Sequence, residues 1–284
     1  MSQSFDRIGP QPAKYPVILS IPHAGRAYAA PLLADCRFPA ERLIPLEDRY
    51  ADLLAEDAWR AGFSGLIART PRAVIDLNRA EHDLDPGMLT APMGPPALLS
   101  IKARGGLGLI PRRTPALGDL WRRKFDPAEV SARIAAHHRP YHDALNALLM
   151  TARRRFAAVL LLDVHSMPPL GGTATDPAPQ IVIGDRFGRS CRTLFSEMAG
   201  NVAMAAGYRV AFNAPYAGGH ILERHAKPDH GIHALQVEVD RRLYLDADLT
   251  QHGPGLPRVT RMIADMAATL ATHLADQNPA LAAE

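Results

Sequence analysis

Cysteine is almost absent: Cys36 and Cys191 are the two among 284 residues, and no CxxC pair occurs. A disulfide framework and a thiolate zinc site are both disfavoured, and the expected compartment is the cytoplasm. No apolar stretch reaches the roughly 20 residues that span a bilayer, and the opening MSQSFDRIGPQPAKYP lacks the apolar core of a signal peptide. Neither secretion nor a membrane partner is expected. An excess of one charge is missing too: 32 Lys and Arg stand against 29 Asp and Glu, without a Lys-rich run. Despite a pI near 9.0, a nucleic-acid partner is therefore not expected. Repeats and low-complexity tracts are absent, as are HExxH, GxxxxGK[ST], a strand-borne GxGxxG and the GxSxG elbow. Metal-assisted hydrolysis is the chemistry left standing.

What is present supports a full core. Hydrophobic residues make up 47% and charged ones 21%, enough for one large domain or two closely fused ones, and the chain is read as a single domain over residues 1–284. Short apolar runs read as buried strands at Pro16–Ile21, Gly65–Ala68, Ala73–Leu77, Phe156–Asp163, Gln180–Gly184, Arg209–Phe212 and Ala234–Val239. Helical periodicity between several of them predicts α/β layering. The clearest helix opens at Asp126-Pro127-Ala128-Glu129, a cap, a first-turn proline and a capping-box acid, and runs through Val130, Ile134, Tyr141, Leu145 and Leu148. A closing helix is expected from Pro257 to about Ala275. Residues 83–119 are rich in Gly and Pro, too irregular for a long element and too apolar for a free linker, and read as an active-site loop or lid.

The chemistry-bearing residues gather at strand ends. VILSIPHAG stops at Pro22-His23-Ala24-Gly25, which places His23 just past a strand's carboxyl end, and LLLDVHSMPP places His165 at an equivalent location. Open α/β sheets collect ligands along that edge. A lone strand-end histidine is more often a loop hydrogen-bonder than a ligand. Two of them with one carboxylate, however, form a set that suits zinc and leaves room for water. PLEDRYADLL offers Glu47, Asp48 and Asp52 at the start of an expected helix, where acids also serve the macrodipole, and spacing does not select among them.

AVIDL is followed by Asn78 and Arg79, with Arg69 and Arg72 upstream. The guanidinium fork pairs with carboxylates, so these side chains suit an acidic substrate, although Arg69 is equally well a surface residue. Glu238 stands among apolar neighbours in HALQVEV, after Gly218-Gly219-His220 and His225. A carboxylate in that setting needs a partner. It is either a general base or the mate of Arg241 or Arg242.

At these segments the sequence resembles the N-formylglutamate amidohydrolase family over nearly the whole chain. The matching stretches are SIPHAG, EDRYADLL, RAVIDLNR, GLGLIPRR, RPYHDAL, LLDVHSMPP, GDRFGRSC, APYAGGHI and HALQVEVDRRLY, in the expected order. The resemblance implies an α/β fold, a three-layer mixed sheet flanked by helices of the zinc carboxypeptidase (phosphorylase/hydrolase-like) kind, with kinship to aspartoacylase-like deacylases. Carried over residue by residue, it implies His23 and His165 as zinc ligands with Asp48 as the third, one Zn2+ per chain. It further implies Glu238 as the base, and Asn78 and Arg79 as the pair that grips a substrate carboxylate, with Arg72 and His220 as further candidate substrate contacts. The implied partner is a small acidic N-acyl amino acid, the implied reaction is hydrolysis of N-formyl-L-glutamate to L-glutamate and formate, and the implied setting is histidine degradation. Two departures stand out: Arg26 occupies the place of the carboxypeptidase Glu, and PLEDRYAD replaces PDTDWHVD. The second motivates an alternative, deacylation of another N-acyl amino acid or a short peptide. A third reading is a non-enzymatic protein that binds anions or nucleic acid. The oligomeric state is not specified.

Overall fold

The structure, a computed structural model, describes residues 4–94, 98–173, 175 and 177–276. Its strands are β1 (Phe5–Ile8), β2 (Val17–Ile21), β3 (Ser64–Ala68), β4 (Arg113–Thr114), β5 (Gly118–Asp119), β6 (Val159–Met167), β7 (Ile181–Gly184), β8 (Val210–Phe212) and β9 (Ile232–Asp240). The α-helices are α1 (Ala30–Asp35), α2 (Ala51–Leu54), α3 (Glu56–Arg60), α4 (Ile101–Arg104), α5 (Pro127–Arg133), α6 (Arg139–Arg153), α7 (Thr193–Ala205), α8 (His220–His225) and α9 (Leu256–Asp276). The residues gather into two compact units, one of Met1–Asp6, His23–Arg49 and Ala68–Asp143, the other of Arg7–Pro22, Tyr50–Ile67 and Ala144–Glu284.

The seven-stranded sheet runs in the order β1-β3-β2-β6-β9-β7-β8, and most of its residues belong to the second of these units. β2 runs parallel to β3 and β6, and β6 to β9; β7 turns antiparallel to β9, which makes the sheet mixed. All nine residues of β6 and all nine of β9 are buried, as strands covered on both faces are, with polar side chains interspersed among the apolar ones. α9 lays Val259, Ile263, Met266, Leu270 and Leu274 inward at helical spacing and packs on α3 and α7. The mixed α/β sheet flanked by helices is thus as expected, and the closing helix also falls where its periodicity places it.

In the other unit, Asp126 and Glu129 form the predicted capping box with Pro127 in the first turn of α5. The helical run to α6 is not uniform, because Ile134–His138 adopts a π turn. Residues 83–119 hold a 3₁₀ turn at Pro86–Met88, α4 and the β4–β5 hairpin, and residues 95–97 lie outside the described set. Leu109 and Ile110 of this stretch are buried, and Leu109 N donates to Asp83 O at 2.6 Å.

Three local expectations need correction. Ala73–Leu77 is buried but forms turns, not a strand: Asp76 accepts from Asn78 N at 2.8 Å, an Asx-type turn that competes with ladder pairing. His165 lies inside β6, not beyond its end, because β9 continues alongside it through Asp240. Glu47 and Asp48 do not open a helix; they follow a 3₁₀ turn at Ala40–Leu46, and the helical residues resume at Ala51, so only Asp52 is in a first turn.

Candidate active site

In the first unit the chain turns directly after β2 and presents His23. Gly25 fits there because a Cβ would meet Thr70 O at 2.3 Å, so any side chain would push the two backbones apart. His23 Nε2 lies 2.8 Å from Asp76 Oδ1, and its Nδ1 lies 3.4 Å from Asp48 Oδ2. Asp48 N also donates to His23 O at 3.0 Å. The neighbouring Glu47 is buried, taking Tyr28 OH on one oxygen at 2.7 Å and Arg49 Nη1 on the other at 2.8 Å. Burial and the Glu47 charge push the Tyr28 phenol well above its ordinary value, so Tyr28 stays a donor and fixes the segment that carries Asp48.

Asp76 is fully buried. Burial works to raise its carboxyl, but Arg72, His23 and Arg79 outweigh that and hold it well below the usual carboxylate range. Arg72 Nε donates to Asp76 Oδ2 at 2.8 Å, and Arg79 Nε donates to Leu107 O at 2.9 Å. The Asn78–Arg79 segment is itself anchored from behind: His138 Nε2 donates to Arg79 O at 2.8 Å and His142 Nε2 to Leu77 O at 3.0 Å. Since carbonyls only accept, both rings carry the proton on Nε2.

In the second unit one face of the sheet holds a row of buried polar groups. Register pairs Ser20 with Asp163, Asp163 with Gln236, and His165 with Glu238. Paired residues on neighbouring strands project to the same face. Ser20 Oγ donates to Asp163 Oδ1 at 2.7 Å, His165 Nε2 lies 2.8 Å from Asp163 Oδ2, and Gln236 Nε2 donates to Glu238 Oε1 at 2.8 Å. Of the two arginines raised as mates for Glu238, Arg242 pairs with Asp240, and Arg241 Nε donates to Ser166 Oγ at 3.2 Å. His220 opens α8 with Nδ1 3.9 Å from Glu223 Oε2.

The same local design therefore occurs twice. Each predicted ligand histidine turns Nε2 to a buried aspartate, the orienting contact that carboxylate–histidine–metal triads use. Sequence reading missed Asp76 and Asp163 as these supports. The signal was there: each is an acid inside an apolar run, AVIDL and LLLDVH, where an ionised group needs a dedicated partner.

The family model described as N-formylglutamate amidohydrolase matches residues 15–245. The N-formylglutamate deformylase of Pseudomonas putida is 29% identical over 240 residues, 82% of this chain and 83% of its own length. That of Pseudomonas aeruginosa is 28% identical over the same shares. Among solved structures, the N-formylglutamate amidohydrolase from Ralstonia eutropha JMP134 superposes with a TM-score of 0.88 at 32% identity, covering 96% of this chain and 99% of its own. A gene product of Agrobacterium tumefaciens, with a TM-score of 0.65 at 17% identity, covering 96% of each chain, shares the fold.

Proposed function

The chain belongs to the N-formylglutamate amidohydrolase family, and we propose that it hydrolyses N-formyl-L-glutamate to L-glutamate and formate with one bound Zn2+. It is an enzyme acting on an amide, which removes the non-enzymatic reading. The observation that carries the metal is the repeated aspartate support: His23 on Asp76 and His165 on Asp163, each through Nε2 at 2.8 Å. His23, His165 and Asp48 each offer one ligand atom, two imidazole nitrogens and a carboxylate oxygen, a donor set that fits zinc with a position kept for water. Bound there, the ion would supply a Lewis acid and lower the pKa of water toward roughly 7.

The remaining steps belong to the chain's own groups. Glu238 takes the proton of the attacking water and delivers it to the leaving amine, and Gln236 Nε2, donating to Oε1 of that carboxylate at 2.8 Å, helps to hold it in place. The guanidinium forks of Arg72 and Arg79, with Asn78 and His220, bind the glutamate carboxylates. Such a substrate is a small acidic N-acyl amino acid, and no helix among the described residues is long and apolar enough to cross a membrane. The reaction would serve histidine degradation in the cytoplasm.

The test is formate release from N-formyl-glutamate, compared by kcat/KM with N-acetyl-glutamate, other N-formyl amino acids and γ-glutamyl peptides. Preference for the formyl-glutamate compound, abolished by a chelator and restored by zinc, is the expected result. Preference for an acetyl or peptidyl substrate would favour the alternative raised by PLEDRYAD, and chelator-resistant turnover would defeat the metal reading altogether.

A further inference from the structure

A cavity lies within the first unit, lined by none of the residues assigned to hydrolysis. It encloses about 480 Å³, within the roughly 300–1,000 Å³ of small-molecule sites. One part of its wall is apolar, including Leu32, Pro71 and Val74, and another carries Arg133 and His137. The wall's carboxylates, Asp35 and Glu129, are both bound by Arg123, which donates to each through two nitrogens at 2.7 to 2.8 Å. Arg133 is different. It spends one N–H on Val74 O at 3.1 Å and lies 4.5 Å from the centre of the Phe125 ring. Among the described residues no carboxylate comes within 4 Å of it. Burial works against its charge and the more distant Glu129 and Asp35 offset only part of that, so the site holds a partly buried guanidinium with no carboxylate in direct contact, whose fork a bound carboxylate would engage.

His137 supplies a second polar group. Its Nδ1 faces Ser4 Oγ at 2.8 Å and Thr70 Oγ1 at 3.0 Å. Ser4 Oγ donates onward to Ala136 O at 2.9 Å, so it accepts from Nδ1–H and leaves Nε2 as an acceptor. The π turn that begins directly after Arg133 contains His137, and single π turns inside α-helical runs are concentrated at functional sites.

We propose that this cavity binds a small organic carboxylate that also bears a hydroxyl or amide donor: the carboxylate on the Arg133 fork, the donor on His137 Nε2, the body against Leu32 and Val74. The site is independent of the deformylase reading, since binding is read as heat and turnover serves only as a control on the variant.

The probe is 3-phenyllactate, titrated calorimetrically into the zinc-loaded wild type beside 3-phenyllactamide, which keeps shape and hydroxyl but loses the charge. Saturable binding of the acid, about 10–100-fold tighter than the amide, is expected. Arg133→Met should lose a similar factor with deformylase kcat/KM unchanged. Arg133→Lys, which keeps the charge without the fork, should fall between the two and covers the case in which the methionine variant fails to fold. Equal affinity for acid and amide, no saturable heat, or undiminished binding by both variants would overturn the proposal.

Discussion

His23 Nε2 lies 2.8 Å from Asp76 Oδ1, and the same ring's Nδ1 lies 3.4 Å from Asp48 Oδ2. One imidazole is thereby suspended between two acids that serve opposite ends of it. Asp76, kept ionised by Arg72, faces one ring nitrogen, and Asp48 faces the other.

Replacing Asp76 with Asn removes the charge that orients His23 while keeping the shape. Zinc affinity, measured by competition with a chromogenic chelator, should fall roughly 10–100-fold. Asp163→Asn should do the same through His165. Unchanged affinity in both variants would show that the aspartates merely satisfy buried donors.

Glu238→Gln tests the proton-transfer role. The expectation is a kcat lower by about 10²–10⁴-fold with zinc content near that of the wild type. A variant that loses its metal along with its activity would place Glu238 among the ligands instead.

His233 gives an acid sensitivity with a defined sign. Burial, then Arg192, lowers its pKa to about 4 from 6.5. Between those values the unfolded chain binds a proton that the folded chain refuses, so stability is lost as pH falls from 6.5 toward 4, by at most about 3 kcal/mol. Urea unfolding of His233→Leu at pH 7, 5.5 and 4.5 should show a shallower decline than wild type. Parallel declines would count against the assignment.

Asp126→Ala removes a cap seen both in sequence and in structure. It should cost about 1 kcal/mol in urea unfolding and leave kcat/KM alone. A loss several times larger would mean that α5 depends on the cap far more than an exposed terminus should.

Much of the architecture was legible because strand and helix periods are local properties. The runs VILSI and HALQVEV became strands where they stand, and the capping box at Asp126 started its helix. AVIDL misled because its apolar content reflects burial by distant segments: Asp76 N donates to Leu109 O at 2.7 Å, a contact no local pattern announces. The π turn at Ile134–His138 also escaped, since it inserts one residue without changing the apolar spacing enough to notice. At the site, residue types pointed to the histidines and to Glu238. The aspartates beneath them, and the clamp of Tyr28 and Arg49 on Glu47, depend on tertiary approach and emerged only from the coordinates.

The pairing of His165 with Glu238 across β6 and β9 has an implication for how this chain can change over time. Successive side chains on a strand alternate faces, so slipping either strand by a single residue would carry its functional group through to the opposite surface of the sheet. Insertions and deletions of odd length are thereby barred from both stretches, and variation must be channelled into point substitutions there and length changes in the connecting loops.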